Sequence, residues 1–340
     1  MNVIVLNNES VKQNLYPFSL TRSVADIRIG IFTLREKWKL FGYEAEIDNR
    51  AESLPANIIP SYKILDYLEK NNFQSILSSA KKIEYPWDIF RLNAEMIRQD
   101  FFIITKEKKS NPISSTNKLI SPGNIFIEEG AVIEHCILNA STGPIYIGKN
   151  AEIMEGSMIR GPFALCKNSV VKMSSKIYGG TTIGKNCVVG GEIKNSMISD
   201  YSNKSHDGYL GDSVIGEWCN LGAGTSNSNI KNTGNDVMVW DNSSNQFINA
   251  GLKCGLIMGD YSRCAINTSF NTGTVVGVCC NIFGNGLTPK HIRNFSWGFG
   301  ESIYEFEKAI KGIENWKKLK DQSITDIEIQ TLKHIFEQSK

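Results

Sequence analysis

The chain has 340 residues, 41% of them hydrophobic, and a formal net charge of +2. This length suits roughly two domains, and this hydrophobic content suits a chain that buries a core. The balanced charge argues against long-range attraction to nucleic acid or to an acidic membrane surface, so we expect no partner of either kind.

Neither end of the chain suggests insertion into a membrane or export. The N-terminus has only a short apolar run, and no window approaches the ~18 apolar residues of a membrane span, so we expect a cytoplasmic location. The eight cysteines form no C-x-x-C pair, which predicts neither a metal site nor a disulfide framework. Several stand at repeat positions that other turns fill with Ser, Thr or Ala, so we interpret them as small core residues.

Residues 1–105 are predicted to form a small α/β domain. Asn2–Leu6 has the composition of a buried strand, and apolar residues at helical spacing predict a helix from Val24 to Trp38. The same spacing predicts helices over 62–69 and 87–99.

A nucleotide-binding α/β domain normally carries a glycine-rich loop after its first strand, because glycine lets backbone N–H groups approach a phosphate. The first glycine of this chain is Gly30, so the loop is absent from its expected place. The segment 106–119 that follows is polar and charged and contains Pro112, which predicts a linker.

A repeat of six residues begins near residue 120. Apolar residues stand six apart without a miss at Ile147, Ile153, Ile159, Leu165, Val171, Ile177, Ile183 and Val189. A period of six fits neither a helix nor a lone strand, but it fits a coil with three flat faces per turn. The sequence therefore predicts a mainly β protein in which residues 120–300 form a parallel β-helix of hexapeptide repeats.

Glycine often follows the inward apolar residue, as in Ile147-Gly148 and Leu221-Gly222. We interpret these glycines as corner residues whose φ is unusual. The register slips by two after Val189, and the continued spacing predicts that Met197, Asn203 and Tyr209 face inward.

Two further segments depart from the repeat. Residues 227–255 are polar and lack the period, which predicts a loop or hairpin extending from the coil. Residues 301–340 show apolar residues at helical spacing, which predicts C-terminal helices that cover the open end of the coil.

Residues 192–229 interrupt the regular scaffold, and departures from a local rule are expected at functional sites. They contain Glu192, Lys194, His206, Tyr209, Asn220, Asn229 and the turn Gly222-Ala223-Gly224. A histidine accepts a proton at neutral pH, which makes His206 a candidate general base. A structural interpretation is also open, in which His206 is a surface-turn residue, Tyr209 a core residue and the asparagines a ladder along the coil.

Several short motifs together resemble one family. They are Gly161-Pro162-Phe163-Ala164, Glu192-Ile193-Lys194, His206, Tyr209-Leu210-Gly211-Asp212 and Asn220-Leu221-Gly222-Ala223-Gly224-Thr225. This set resembles the left-handed β-helix acyltransferases, and within them the acetyltransferase half of the bifunctional UDP-N-acetylglucosamine diphosphorylase/glucosamine-1-phosphate N-acetyltransferases. The resemblance covers roughly residues 120–300.

The resemblance implies a role for each matching residue. His206 is the implied general base and Glu192 orients it, Lys194 and Tyr209 hold the acceptor sugar phosphate, and Asn220 and Asn229 surround the acceptor. Ala223, with Gly222 and Gly224 in the same turn, is implied beside the thioester of acetyl-CoA, the co-substrate. The resemblance also implies a homotrimer with active sites between subunits.

The chain departs from the family's pattern at three points. The family follows G-P-F-A with an arginine that binds the acceptor phosphate, and the nearest match here is Lys167, which cannot bind phosphate bidentately as arginine does. Ile230 stands where a tyrosine is expected after Asn229, and about one extra turn is inserted between Ala164 and Glu192.

The N-terminal region also looks like a reduced relative of the nucleotidylyltransferase half. Arg22 is its candidate phosphate contact, and Mg²⁺ is expected only if this domain is active. Without the glycine-rich loop we favour a degenerate or structural domain.

We therefore expect an acetyl-CoA-dependent N-acetyltransferase that acts on an amino sugar phosphate or a nucleotide-linked amino sugar. Two alternatives stay open. The N-terminal half is a working sugar-1-phosphate nucleotidyltransferase, or the protein is a non-catalytic trimeric scaffold that binds sugar nucleotides.

Overall fold

A computed structural model describes residues 2–48, 53–70, 72–300 and 302–339. Residues 1, 301 and 340, which end two of the predicted ranges, lie outside the described residues. The predicted division into domains at 105, 119 and 300 stays a prediction.

The N-terminal part combines a small parallel sheet with short helices. The strand Asn2–Asn7 lies between Tyr43–Ile47 and Leu54–Pro55, both parallel to it. The helices are α1 (Glu9–Lys12), α2 (Leu34–Leu40), α3 (Tyr62–Glu69), α4 (Phe73–Ser79) and α5 (Pro86–Thr105), with 3₁₀ turns at Gln13–Leu15, Phe18–Leu20 and Val24–Asp26.

The predicted helix from Val24 to Trp38 is wrong over its first half. A tight hairpin pairs Arg28–Ile29 with Phe32–Thr33, and its turn residue Gly30 has a φ of +71°, which glycine adopts without strain. The side chain of Asn93 on α5 accepts a hydrogen bond of 2.8 Å from the Gly30 N–H. Tertiary contact with α5 therefore overrides the local helical spacing. The helices predicted over 62–69 and 87–99 are confirmed as α3 and part of α5.

The remainder is a parallel β-helix with three long sheets. The first sheet contains Ile125–Ile127, Ile145–Ile147, Phe163–Leu165, Thr181–Ile183, Met197–Ile198, Val214–Ile215, Ile257–Met258, Val275–Val276 and His291–Ile292. The second contains Val132–Ile133, Glu152–Ile153, Val170–Val171, Val188–Val189, Asn203–Lys204, Asn220–Leu221, Arg263–Cys264, Asn281–Ile282, Ser296–Trp297 and Ser302–Ile303. The third contains Lys118–Ile120, Ile137–Asn139, Met158–Arg160, Lys176–Ile177, Glu192–Lys194 and Tyr209–Gly211, and the pair Ser226–Asn227 with Ser269–Phe270 follows it.

The lumen of the coil is built from the six-residue repeat, as predicted. All eight of the aliphatic residues that stand six apart are at most 2% exposed and belong to one hydrophobic core. Because each face of the coil presents one of them inward, the repeat buries a continuous apolar column. The predicted left-handed parallel β-helix is thus the fold of this part of the chain.

The predicted register is wrong by one residue at Met197, Asn203 and Tyr209. Val189 pairs with Lys204 and Ile193 pairs with Leu210, and Lys204 and Leu210 are buried, at 2% and 1% exposure. These turns contain 15 or 17 residues instead of 18, and a shift of one residue exchanges the two faces of a strand. Tyr209 accordingly faces outward.

Glycine follows the inward residues for a different structural reason from the one predicted. Gly148 and Gly222 are absent from the positive-φ glycines of the described chain. A β carbon on Gly148 would lie 2.8 Å from the backbone nitrogen of Lys167, and one on Gly222 would lie 2.5 Å from the carbonyl carbon of Ala265. These glycines therefore allow successive coils to approach closely at a corner.

The N-terminal part covers the outer face of the first sheet. Met197, Val214, Ile257 and Val275 face outward there and share a core with the N-terminal helices and strands. Asn93 on α5 donates hydrogen bonds of 2.8 Å to the carbonyl of Gly180 and 3.0 Å to the hydroxyl of Thr182. This covered face explains why outward positions of the first sheet are apolar.

The C-terminal helices α6 (Phe306–Lys318) and α7 (Asp326–Gln338) pack against the last coils. Their apolar faces contact Trp218, Tyr261 and Phe295, which lie along the corner between the first and second sheets. The helices therefore lie beside the coil, and the expectation that they cover its open end is not met. The predicted hairpin within 227–255 is confirmed as Met238–Asp241 paired with Gln246–Asn249.

All eight cysteines are buried and free, as expected for small core residues. In the described ranges, no group of three or more His, Cys, Asp or Glu residues is placed to hold a metal ion. No helix in those ranges has the length and apolar content needed to cross a membrane.

Candidate active site

A groove of about 440 Å³ lies on the corner between the second and third sheets. It is lined by Lys172, Met173, Gly190, Gly191, Ser205, His206, Asp207, Ala223 and Gly224. We call it the corner groove. The structure therefore brings the predicted base, His206, together with two residues of the predicted thioester turn.

Close contact between coils shapes the turn that carries His206. Gly191, on the preceding coil, has a φ of +76°, and a β carbon there would lie 2.9 Å from the carbonyl oxygen of His206. Gly208, two residues after the histidine, has a φ of +127°. The side chain of His206 is exposed, so its imidazole is open to a ligand in the corner groove.

Glu192 begins the strand that follows Gly191. It pairs in register with Tyr209 on the next coil and with Lys176 on the preceding one. No hydrogen bond joins Glu192 to the imidazole of His206 among the residues that the structure describes. The orienting role of Glu192 stays a prediction, and catalytic hydrogen bonds often shorten only when substrate is bound.

A hydrogen-bonded chain fixes Tyr209 on the outer face of the third sheet. The amide nitrogen of Asn229 donates to the Tyr209 hydroxyl at 3.1 Å and to a carboxylate oxygen of Asp212 at 2.5 Å. The other oxygen of Asp212 accepts a hydrogen bond of 2.7 Å from Asn195. Because the hydroxyl oxygen already accepts from Asn229, its own hydrogen can point toward a ligand.

Burial, together with the negative charges of Asp212 and Glu192, raises the pKa of Tyr209 to about 12. The hydroxyl is therefore protonated at neutral pH and serves as a hydrogen-bond donor. Asn229, whose amide hydrogens are used within this chain, acts here by orienting Tyr209.

A second groove, of about 340 Å³, runs along the outer face of the third sheet. It is lined by Ile137, Asn139, Met158, Ile159, Arg160, Lys176, Ile177 and Tyr178. We call it the face groove. The ammonium of Lys194 lies 6.0 Å from the centre of the Tyr178 ring, so three cations, Arg160, Lys176 and Lys194, border this groove.

Sequence reasoning missed Arg160, Lys176 and Asp212. The sequence did contain a signal for Arg160 and Lys176, namely the length of one coil. Met158 pairs with Lys176, 18 residues later. The same separation places Arg160 beside Tyr178, and Tyr178 lies beside Lys194 one coil further. Aligning the chain at the coil length would have gathered these outward side chains on one face.

Two predicted site residues lie elsewhere in the chain. Lys167 is exposed on the corner between the first and second sheets and lines neither groove. Asn220 faces outward on the second sheet, between Asn203 and Arg263. Lys167 lies away from the third sheet because it falls between Phe163–Leu165 of the first sheet and Val170–Val171 of the second.

Arg22, the candidate phosphate contact of the N-terminal part, is paired with side chains of this same chain. Arg22 forms ion pairs with Glu217 and Asp260 on the β-helix, and Thr21 donates a hydrogen bond to Asp260. The first strand, Asn2–Asn7, is followed almost directly by α1, without a glycine-rich loop. Arg22 therefore connects the two parts of the chain.

Comparison with known proteins finds similarity to sugar nucleotidyl transferases and to bifunctional GlmU proteins. Residues 3–52 match a family of sugar nucleotidyl transferases. A bifunctional protein GlmU of Methanococcus maripaludis strain C5 is 30% identical over 227 residues, which is 63% of this chain and 46% of the relative. A second, from strain S2, is 33% identical over 219 residues, with the same coverage.

Two further matches are shorter or more distant. A bifunctional sugar-1-phosphate nucleotidylyltransferase/acetyltransferase of Sulfurisphaera tokodaii is 34% identical over 111 residues, which is 32% of this chain and 26% of the relative. A solved Arabidopsis UDP-N-acetylglucosamine acyltransferase covers 56% of this chain and 66% of its own, with 15% identity and a TM-score of 0.20.

The repeat, the three sheets and the two grooves define a protein of the hexapeptide β-helix class. Within that class, the chain is similar in sequence to the bifunctional GlmU proteins. It spans about half the length of the first curated relatives it matches.

Proposed function

We propose that the β-helix is an acetyl-CoA-dependent N-acetyltransferase whose acceptor is an amino sugar that carries a phosphate or a nucleotide. The observation that carries the proposal is the corner groove, which unites His206 with Ala223 and Gly224 and lies one strand from the cationic face groove. The bifunctional relatives support the same reaction class.

In the proposed reaction, the amine nitrogen of the acceptor attacks the carbonyl carbon of the thioester. A nitrogen–carbon bond forms, the carbon–sulfur bond breaks, and the amine proton passes to the imidazole of His206, which returns a proton to the leaving thiolate. The backbone N–H of Ala223 is the proposed donor to the oxyanion of the tetrahedral intermediate, because the N–H groups of Gly222 and Gly224 already donate to backbone carbonyls.

The face groove supports an anionic acceptor. Arg160, Lys176 and Lys194 border it, and none of the three forms an ion pair with a carboxylate elsewhere in the described ranges. Arginine and lysine bind phosphate through charge-assisted hydrogen bonds. We assign to Arg160 and Lys176 the role that the sequence suggested for Lys167, because Lys176 lies on the strand next to Glu192–Lys194 and Arg160 lies on the strand after it.

Tyr209 lies three residues after His206, on the strand of the third sheet two strands from Lys176. It pairs with Glu192, and its protonated hydroxyl is held by Asn229. This position suits a hydrogen bond to a hydroxyl or phosphate oxygen of the acceptor, which would fix the amine relative to His206.

We further propose that the active protein is a homotrimer in which a second copy completes the site. Exposed apolar side chains beside the grooves support an interface there, among them Met158 and Met173, which are 45% and 66% exposed. Sedimentation velocity of the full chain tests the assembly, and a monomer at enzymatic concentrations would contradict it.

The experiment that tests the proposed reaction is thiol release from acetyl-CoA. The full chain is assayed against amino sugars, their 1-phosphates and their nucleotide conjugates, beside His206→Asn. His135→Asn is the matched control, because His135 is also exposed on a corner between the second and third sheets.

We expect turnover on a phosphorylated acceptor, a loss on the order of a hundredfold or more in His206→Asn, and native turnover in His135→Asn. Near-native turnover in His206→Asn would remove the histidine from the role of base. A folded wild-type protein that is silent across the panel would favour a scaffold that binds sugar nucleotides.

The match of residues 3–52 to sugar nucleotidyl transferases favours a second candidate function, in the N-terminal part. Its test is release of pyrophosphate from a nucleoside triphosphate and a sugar 1-phosphate in the presence of Mg²⁺. We expect none, because Arg22 is paired with two carboxylates of the β-helix and the phosphate-binding loop is missing. Measurable release would reverse this assignment.

A further inference from the structure

A lysine lies inside the β-helix directly below the corner groove. Lys204 is only 2% exposed, although lysine is almost never fully buried without a charged partner. Its inward position is aliphatic on both neighbouring coils. Val189 pairs with it, and the pairing of Asn203 with Asn220 places Leu221 on its other side.

The ammonium of Lys204 contacts two backbone carbonyls on adjacent coils. It donates hydrogen bonds of 3.0 Å to the oxygen of Gly190 and 2.8 Å to the oxygen of His206. Both residues line the corner groove. The lysine therefore joins, from inside the lumen, the two coils whose outer surfaces form the groove.

The charge of Lys204 is compensated by hydrogen bonds to carbonyls and not by an ion pair. Within the described ranges, no carboxylate lies at ion-pair distance from it, and the nearby Asp207 supports its charge only from the same turn. Burial lowers the pKa of Lys204 to about 8. An apolar side chain of similar volume would be less costly in such a place, so the stability of the coil does not explain the lysine.

We propose that Lys204 is a positioning residue that holds the His206 turn in the geometry needed for proton transfer from the acceptor amine. The carbonyl of His206 accepts from the Lys204 ammonium inside the lumen, and the same oxygen lies where a β carbon on Gly191 would come within 2.9 Å of it. A displacement of about 1 Å in a reacting group can lower the rate on the order of a hundredfold. The inference rests on the proposed role of His206 as the base.

The test replaces Lys204 by Met, which has a similar reach and no donor. The matched control is Ile198→Met, a volume-conserving change at a buried lumen position of the same coil. Both variants and His206→Asn are assayed for thiol release, with kcat and KM determined separately for acetyl-CoA and the acceptor, and their Tm values are measured beside the native protein.

We expect Lys204→Met to lower kcat by about tenfold or more, to change either KM by less than about threefold, and to keep a Tm at or above the native value. Ile198→Met should retain native kcat. A lysine with a merely structural role would lower Tm together with kcat, and that result overturns the inference.

Two further outcomes separate this inference from the proposed function. If His206→Asn is inactive while Lys204→Met keeps kcat within about twofold of native, only the positioning role is wrong. If His206→Asn keeps native turnover, the proposed base is wrong and the role of Lys204 falls with it. Should Lys204→Met fail to fold, Lys204→Gln, which can still donate to one carbonyl, must give a reduced kcat at a near-native KM, and a native kcat overturns the inference.

Discussion

The early coils of the β-helix and the coils that carry the candidate site differ in their lumen. From Ile147 to Val189 every sixth residue is aliphatic and buried. In the site coils the inward positions include Lys204 and Asn227, and Asn227 hydrogen-bonds both the N–H and the carbonyl of Gly211. The regular coils are built for stability, whereas the site coils place polar groups behind the residues proposed to act on substrate.

The first prediction places a lysine in the lumen of a regular coil and removes the one in the site coils. Val171 occupies the inward position of the second sheet in a regular coil and is fully buried. We expect Val171→Lys to destabilise the fold by at least about 3 kcal/mol, because the nearby carbonyls of Met154 and Lys172 already accept hydrogen bonds from Cys136 and Ser157. Denaturant unfolding measures the loss.

The matched change in the site coils is Lys204→Met, which should lose no stability. A Val171→Lys protein as stable as native would show that the lumen of a regular coil accepts a lysine as readily as that of a site coil.

The second prediction concerns how the site coils are fixed to the N-terminal part. Arg22 contacts Glu217 and Asp260, and Asp260 is only 1% exposed. Arg22→Gln leaves these carboxylates without their cation, so we expect a loss of about 3–5 kcal/mol in the free energy of unfolding.

Arg35→Gln is the control, since Arg35 pairs with Asp26 inside the N-terminal part and is one-third exposed. Its expected effect is below about 1 kcal/mol. Equal losses in the two variants would contradict a special role for the contact between the two parts.

The third prediction follows from the lowered pKa of Lys204. Burial moves it from the ordinary 10.5 to about 8, so between these values the unfolded chain binds more protons and stability rises with pH. Below pH 8 the full penalty, roughly 3 kcal/mol, is present.

The stability advantage of Lys204→Met over native should therefore be largest below pH 8 and shrink toward pH 10. Denaturant unfolding of both proteins from pH 7 to pH 10 gives the difference, in which groups common to both cancel. A difference that stays constant with pH would show that Lys204 is not the titrating group.

The fourth prediction separates the face groove from the corner groove. Arg160→Gln should raise the KM for a phosphorylated acceptor by about tenfold and leave the KM for acetyl-CoA unchanged, because one charge-assisted contact contributes roughly 1.4 kcal/mol. Lys167→Gln is the control and should leave both constants unchanged. The reverse ranking of the two variants would restore the assignment suggested by the sequence.

Much of this architecture is accessible from the sequence. The spacing of six is fixed by the width of each face, so the spacing alone identifies the lumen residues from Ile147 to Val189. The stretch that departs from this spacing contains His206, Ala223 and Gly224, which meet at the corner groove. Local spacing predicts structure less well where tertiary contacts outweigh it. At Gly30, contact with α5 gives a hairpin although the sequence has helical spacing.

The register and the outward side chains could not be obtained in the same way. Turns shortened by three residues or by one leave no mark in composition, yet they move Lys204 inward and Tyr209 outward. Arg160 and Lys176 lie on strands whose outward residues follow no apolar pattern. The contact of Asp212 with Asn229 joins positions 17 residues apart on successive coils, and this spacing can be used only when the shortened coil is known.

The central claim is that the two grooves serve one acyl transfer to an anionic acceptor. The most direct measurement is kcat/KM for thiol release from acetyl-CoA with two acceptors, an amino sugar and its 1-phosphate, in the native protein and in Arg160→Gln. We expect the native protein to prefer the phosphorylated acceptor by at least about tenfold, and the preference to shrink in the variant. Thiol release from neither acceptor, or equal kcat/KM values for both in the native protein, would contradict the claim.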